Sequence, residues 1–277
     1  MATQFGFSVR ELFKLNRVSE EGIDAIKTWQ SGTKDPKLSD QQIALFLIAC
    51  NGNHEFAMKT IQAYIKVKTG TPKLFKGWNI SNENLQKILS VVNMAVLPKR
   101  YSNSAIITTH FKDTDPMNFD FNSFCQLCCM TVEGILIDDH PPDDVILIID
   151  LKGVTAIHLM GIEMKLLGAF LEYGQDCMPL RIQTIHVLNA NYLTYAGYKM
   201  FQLFATSDEP SKVQFYQDGE SLDKFHEAHV PKKYLPRDYG GDLESSGEYH
   251  EQNVQKLSRM QYHLDALDQQ FFPSGTY

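Results

Sequence analysis

Apolar residues recur every three to four positions from Ser19 to about Lys68, the spacing of helices that each bury one face. Ser19-Glu20-Glu21-Gly22 opens the first segment with a hydroxyl that can accept from free backbone N–H groups and with acids that suit the positive helix start. Ser39 heads a second, in which Ile43, Phe46, Leu47 and Cys50 keep the helical repeat. A third begins near Asn53, with Phe56, Ile61, Tyr64 and Ile65 on its apolar side. Three short helices without an intervening strand predict a small bundle. Turn residues in Thr69-Gly70-Thr71-Pro72 and Gly77-Trp78-Asn79 end it.

The pattern then changes period. A helix from Asn82 to about Val92 leads into Ala105-Ile106-Ile107-Thr108-Thr109-His110-Phe111, which reads as a strand, and a helix follows from Phe121 to Ile137. Val145-Ile146-Leu147-Ile148-Ile149-Asp150 is an unbroken apolar run, the signature of a strand covered on both faces. A helix over Leu159 to Tyr173 and a strand from Arg181 to Val187 complete a βαβ unit, which predicts a right-handed crossover and a largely parallel sheet. The fold class is therefore α/β with a helical bundle in front. The expected division is 1–79, 80–241 and 242–277, with Gly240-Gly241 and Ser245-Ser246-Gly247 marking an exit into a final helix near Val254 to Leu267.

Composition narrows what such a chain does. With 277 residues, 43% apolar and 21% charged, it can bury a sizeable core, and its net charge of -7 disfavours nucleic acid, whose phosphates are held chiefly by clustered Lys and Arg. Met1 to Ser8 shows no basic segment followed by an apolar run, and no stretch approaches a membrane span, so a cytoplasmic location is expected. The five cysteines include Cys125, Cys128 and Cys129 within one helical pattern, which predicts packed thiols rather than disulfides or a metal site. His226 and His229 lack a third ligand nearby and read as surface residues. No glycine-rich phosphate loop, Gly-x-Ser-x-Gly elbow or His-Glu-x-x-His helix is present, so neither an enzyme nor a cofactor is expected. Asp138-Asp139-His140-Pro141-Pro142-Asp143-Asp144 offers a second reading, a docking loop of a lipid-responsive interaction module; a solvated turn has the same composition.

Several stations along the chain occur in a telling order: Phe46-Leu47, Ala57-x-x-Thr60-Ile61, Ile149-Asp150-Leu151-Lys152-Gly153, Pro179-Leu180-Arg181-Ile182, Ile185-His186-Val187-Leu188-Asn189 and Leu235-Pro236-Arg237-Asp238-Tyr239-Gly240-Gly241. From about residue 19 to 241 the chain resembles the CRAL-TRIO family of lipid-transfer proteins, in the branch that carries tocopherol and retinaldehyde and that includes many insect homologues. The resemblance implies an apolar cavity over the sheet, closed by a mobile helical gate at Asn191 to Ala205, and a carrier of one small hydrophobic ligand such as a retinoid, carotenoid or tocopherol. It places Phe124, Cys125, Cys128 and Val132 on one wall, Ile149 and Ile185 on the sheet, and Ile162, Phe170, Leu180 and Ile182 around them. On the gate it implies that Tyr192, Tyr195, Ala196, Met200, Leu203 and Phe204 face the ligand, while Tyr198 and Phe201 lie outside and make transient contact with a membrane. From the pattern alone the same residues read as ordinary core. Some family members bind a phosphoinositide head group in a basic cleft. Arg181 and Lys212 keep charge at matching positions, but Gln183 and Asp208 do not, and Leu45 and Ile48 stand where arginines flank the Phe-Leu pair, so phosphoinositide-triggered release is not carried over.

Overall fold

The computed structural model describes residue 3, residues 5–204 and residues 212–273. Six helices precede the sheet: α1 (Val9–Lys14), α2 (Glu20–Ser31), α3 (Asp40–Ala49), α4 (His54–Gly70), α5 (Pro72–Phe75) and α6 (Glu83–Val91). Ser8, Ser19, Ser39 and Asn53 each cap the helix that follows, their side-chain oxygens accepting from a backbone N–H of its first turn. Such a cap is worth about 1 kcal/mol over alanine. All of Gln42–Ala49 is buried, which makes α3 the centre of the bundle. The sequence reading starts at Ser19 and omits α1, a helix too short to show a repeat.

The sheet has strands β1 (Val92–Val96), β2 (Ser104–Phe111), β3 (Asp144–Asp150), β4 (Arg181–Ala190) and β5 (Val213–Gln217), in that spatial order. β1 is antiparallel to β2; the other pairings are parallel. Three of the five strands are those expected. α7 (Phe121–Leu136) joins β2 to β3, and α10 (Tyr192–Gln202) leads from β4 towards β5. Between β3 and β4 the expected single helix is divided, because Gly161 terminates α8 (Ala156–Met160) before α9 (Met164–Glu172), and a π-turn at Tyr173–Cys177 follows. Crossovers of one hand between strands that are neighbours in both sequence and space put their helices on the same face of the sheet.

The other face is covered by the last quarter of the chain. Ile106, Ile146, Ile148, Leu188 and Tyr216 pack there against Phe225, Val230, Leu235, Tyr239 and Tyr249, contributed by α11 (Asp223–Ala228), the loop after it and α12 (Ser246–Arg259). The Leu-Pro-x-x-Tyr-Gly-Gly string closes this layer. Gly240 has φ 69° and a Cβ on Gly241 would lie 2.0 Å from the Leu235 carbonyl oxygen, so neither position accepts a side chain. The expected single C-terminal helix is two, α12 and α13 (Gln261–Phe271), separated at Met260. His226, expected at the surface, is buried with Nε2 2.8 Å from the Tyr239 carbonyl oxygen, and His229 packs its ring on His186. The acidic run is largely engaged within the chain: Asp138 pairs with Lys256, Asp143 with Arg17 and Asp144 with Arg181.

Candidate functional site

Strand alternation sends every second side chain to the helix-covered face. Because the parallel strands are in register, those side chains form rows: Met94, Thr109, Ile149, Val187 and Phe215 in one, Ile107, Leu147, Ile185 and Val213 in the next. These rows are the floor of a cavity of about 400 Å³. α7 provides one wall through Phe124, Cys128, Cys129 and Val132, and α8, α9 and the π-turn provide another through His158, Leu159, Phe170 and Leu171.

α10 covers this space. Its inward side consists of Thr194, Gly197, Tyr198 and Phe201, spaced i, i+3, i+4 and i+7, all on the cavity lining. This reverses the expected orientation. Tyr192 is 78% and Leu203 74% exposed, Tyr195 and Ala196 are also exposed, and none of the four reaches the lining. Met200 and Phe204 are half-buried against the core but likewise off the lining, whereas Tyr198 and Phe201, expected outside, face in. The physical reason is the approach of α10 to its neighbours. Gly197 lets the helix pack on Leu159, whose Cδ2 would lie 3.3 Å from an added Cβ, and Phe204 sits over Gly168 with 3.0 Å between its Cε1 and the corresponding point. A small residue at each crossing fixes the helix phase, and Tyr192, Tyr195 and Leu203 are left pointing outward beside Lys199. The expected gate end at Ala205, like Asp208, lies outside the described residues.

Of the remaining expected residues, Ile149, Ile162, Phe170, Ile182 and Ile185 lie on the lining with Phe124, Cys128 and Val132. Cys125 and Leu180 do not: both are buried in the packed core beside it. On α7, positions 124, 128 and 132 share the cavity side at i, i+4 and i+8; Cys129 also reaches the lining, whereas Cys125, one turn before it, is covered by the core. Burial raises the Cys128 thiol to about 12 and pushes Cys125 and Cys129 well above their ordinary value, so all three are neutral thiols at physiological pH. The sequence reading missed Val92, Phe111, Phe119, His158 and Leu193, which line the cavity from loops, helix ends and a strand that carry no strong period.

The lining has few polar groups, and most are occupied. Asp150 Oδ1 accepts from Lys152 N at 2.9 Å and from Asn189 Nδ2 at 2.6 Å, so this strand-end carboxylate shapes the loop after β3. His110 Nδ1 meets the Tyr239 hydroxyl, and Thr194 Oγ1 accepts from Asn191 N. Thr109 supplies the hydroxyl of the floor. No Lys or Arg occurs among the described lining residues. Arg181, at the start of β4, is tied to Asn51 Oδ1 at 2.5 Å and to Asp144 at 3.9 Å, and Lys212 precedes β5 and has a partner within the fold. Neither lies on the cavity lining. Among the described residues no group of three or more His, Cys, Asp or Glu is placed to hold a metal, and no helix is long and apolar enough to cross a membrane.

Comparison with known proteins gives a consistent set of matches. A family model described as CRAL/TRIO domain matches residues 93–241, which takes in the whole sheet, the cavity and the closing Tyr-Gly-Gly string. Proteins named alpha-tocopherol transfer protein-like from Homo sapiens and Pongo abelii are each 23% identical over 210 residues, covering 74% of this chain. The match spans 59% of the length of those relatives. Among solved structures, Sfh5 is similar with a TM-score of 0.51 at 14% identity, covering 78% of this chain and 76% of that one, a likeness of fold.

Proposed function

We propose a carrier function from one premise: this chain belongs to the CRAL/TRIO family, whose members generally bind lipophilic ligands. The chain holds one small lipophilic molecule between its sheet and α10, keeps it from water, and releases it at a membrane surface. The observation that carries this reading is the cavity of about 400 Å³ with an almost wholly apolar lining. That volume falls within the roughly 300–1,000 Å³ of small-molecule sites. A guest with on the order of 400 Å² of apolar surface gains about 10 kcal/mol on leaving water, at about 25 cal/mol per Å².

Chemistry of the lining favours a terpenoid such as a tocopherol, retinoid or carotenoid end over a phospholipid, since no described cation of the lining could offset a buried phosphate. Likeness to proteins named for tocopherol transfer points the same way. Delivery follows from the outer side of α10. Tyr192, Tyr195 and Leu203 of α10 are exposed, as are Ile157 and Met160 of α8, which packs on α10 through Leu159 and Gly197, and exposed apolar side chains of this kind suit insertion into a lipid interface. A phosphoinositide trigger is not part of the proposal, and the setting proposed is the cytoplasm.

The test is uptake from vesicles. Purified chain is incubated with neutral phospholipid vesicles containing alpha-tocopherol or all-trans-retinal, then separated and extracted. The expected result is one molecule of guest per chain with negligible phospholipid; absence of either guest from the recovered protein, or equimolar phospholipid instead, overturns the reading.

A further inference from the structure

His158 is 4% exposed and lies on the cavity lining, yet it is not an ordinary core histidine. The Thr155 backbone N–H donates to its Nδ1 at 3.2 Å, and the Thr155 hydroxyl lies 3.0 Å from the same nitrogen. A ring nitrogen that accepts carries no proton, so in the neutral imidazole the proton is on Nε2. Burial lowers the pKa of His158, with Asp115 opposing, which keeps the ring neutral. Nε2 is therefore a donor, and it is buried without a hydrogen-bond partner. A buried donor left unmatched is unfavourable, and a partner supplied by a guest removes that cost. Its ring contacts are Phe111 at 5.0 Å and 72° and Phe119 at 5.8 Å, both on the lining, and Phe111 shares its side of β2 with Thr109. Tyr173, on the α9 side of the lining, is the other lining residue with a buried polar atom that lacks a partner among the described residues.

We infer that His158 is a ligand-recognition residue: its Nε2–H donates to an uncharged oxygen of the guest, so that the cavity selects a carbonyl- or hydroxyl-bearing terpenoid over the matching hydrocarbon. The inference rests on the carrier reading and deepens it. A neutral donor with no cation beside it fits an aldehyde, ketone, hydroxyl or ether rather than a carboxylate. Thr155 acts as a positioning residue, since its contacts to Nδ1 fix which nitrogen carries the proton.

Two polyenes that differ in one group test it: all-trans-retinal and the same polyene with a methyl in place of the aldehyde, each titrated into the full chain and followed by absorbance. Wild-type protein is expected to prefer retinal about tenfold, the ratio that one net hydrogen bond supplies. His158→Phe keeps an aromatic ring and removes the donor, so the ratio of the two affinities should fall from about tenfold to near one. Nitrogen NMR of wild-type protein gives an independent reading that needs no variant. His158 should be the Nε2–H tautomer when empty, with its Nε2 signal shifted by retinal and not by the hydrocarbon. Equal affinity of wild type for the two polyenes, or an Nε2 signal that retinal leaves in place, overturns the inference and leaves the carrier reading standing. Failure to bind either polyene overturns the inference, and failure to take up alpha-tocopherol as well overturns the carrier reading.

Discussion

His186 lies under the sheet between Tyr216 and His229, and burial, reinforced by His229, lowers it from the ordinary 6.5 to about 4. His110, His158 and His250 are lowered as well, burial being the largest cause for each. A histidine that resists protonation in the folded state but not in the unfolded one stabilises the fold above its unfolded pKa, and that contribution is lost as pH falls towards the folded value. Urea denaturation as a function of pH should therefore show stability declining from about pH 6.5 to 4, with His186 alone accounting for on the order of 3 kcal/mol. His186→Phe should flatten part of that decline; a wild-type stability independent of pH across this window would contradict the burial assigned to these rings. Single residues were unevenly legible in the sequence. Cys125, Cys128 and Cys129 read as packed thiols because their spacing supplies no second ligand pair; Cys125 is packed in the core, while Cys128 and Cys129 border the cavity. His226 read as exposed because nothing local reveals that the distant Tyr239 carbonyl is its partner.

At the level of elements, α10 is where local pattern and structure part. Tyr192, Tyr195 and Leu203 face outward, and Thr194, Gly197, Tyr198 and Phe201 face the cavity. Local pattern does not choose between the two sides because both carry aromatic and apolar residues; the contacts of Gly197 with Leu159 and of Phe204 with Gly168 set the phase. Leu203→Asp together with Tyr195→Asp should slow guest transfer to vesicles several-fold while leaving equilibrium affinity within about twofold; Phe201→Asp should abolish binding by placing a charge in the lining. Loss of affinity in the first variant and not in the second would contradict the assigned phase. Elsewhere the elements were readable where punctuation is strong. Ser19, Ser39 and Asn53 cap the helices they were expected to start, and the apolar run of β3 is the central strand. β1 was missed because Val91-Val92-Asn93-Met94-Ala95 continues α6 without a turn residue, and β5 because Val213–Gln217 is short and half-exposed.

Across the whole molecule, bundle, sheet domain and C-terminal helices share one apolar core that runs from Phe7 to Phe271. Its polar centre is a buried ion pair, Lys68 of α4 with Glu133 of α7 at 3.0 Å. The rings of Tyr64, Trp78, Phe75 and Phe271 surround the ammonium at 4.7 to 5.8 Å. Burial acts to lower the Lys68 pKa, but Glu133 and Tyr64 outweigh it and hold the lysine charged. Lys68→Met leaves Glu133 buried and unpaired and should cost about 3–5 kcal/mol, most of which Lys68→Met with Glu133→Leu should restore. A single variant as stable as wild type would contradict the role of this pair. This core runs across the positions near 79 and 241 where the pattern changes, and sequence period, which reports each element's own faces, does not show which elements meet.

Whether a lipophilic guest occupies the space under α10 is decided by native mass spectrometry of the chain purified from its own source. One small-molecule mass per chain, released into organic solvent and identified there as an oxygenated terpenoid, is the predicted result. A bare polypeptide mass from gently handled native material, with the cavity refusing tocopherol and retinal afterwards, would contradict it.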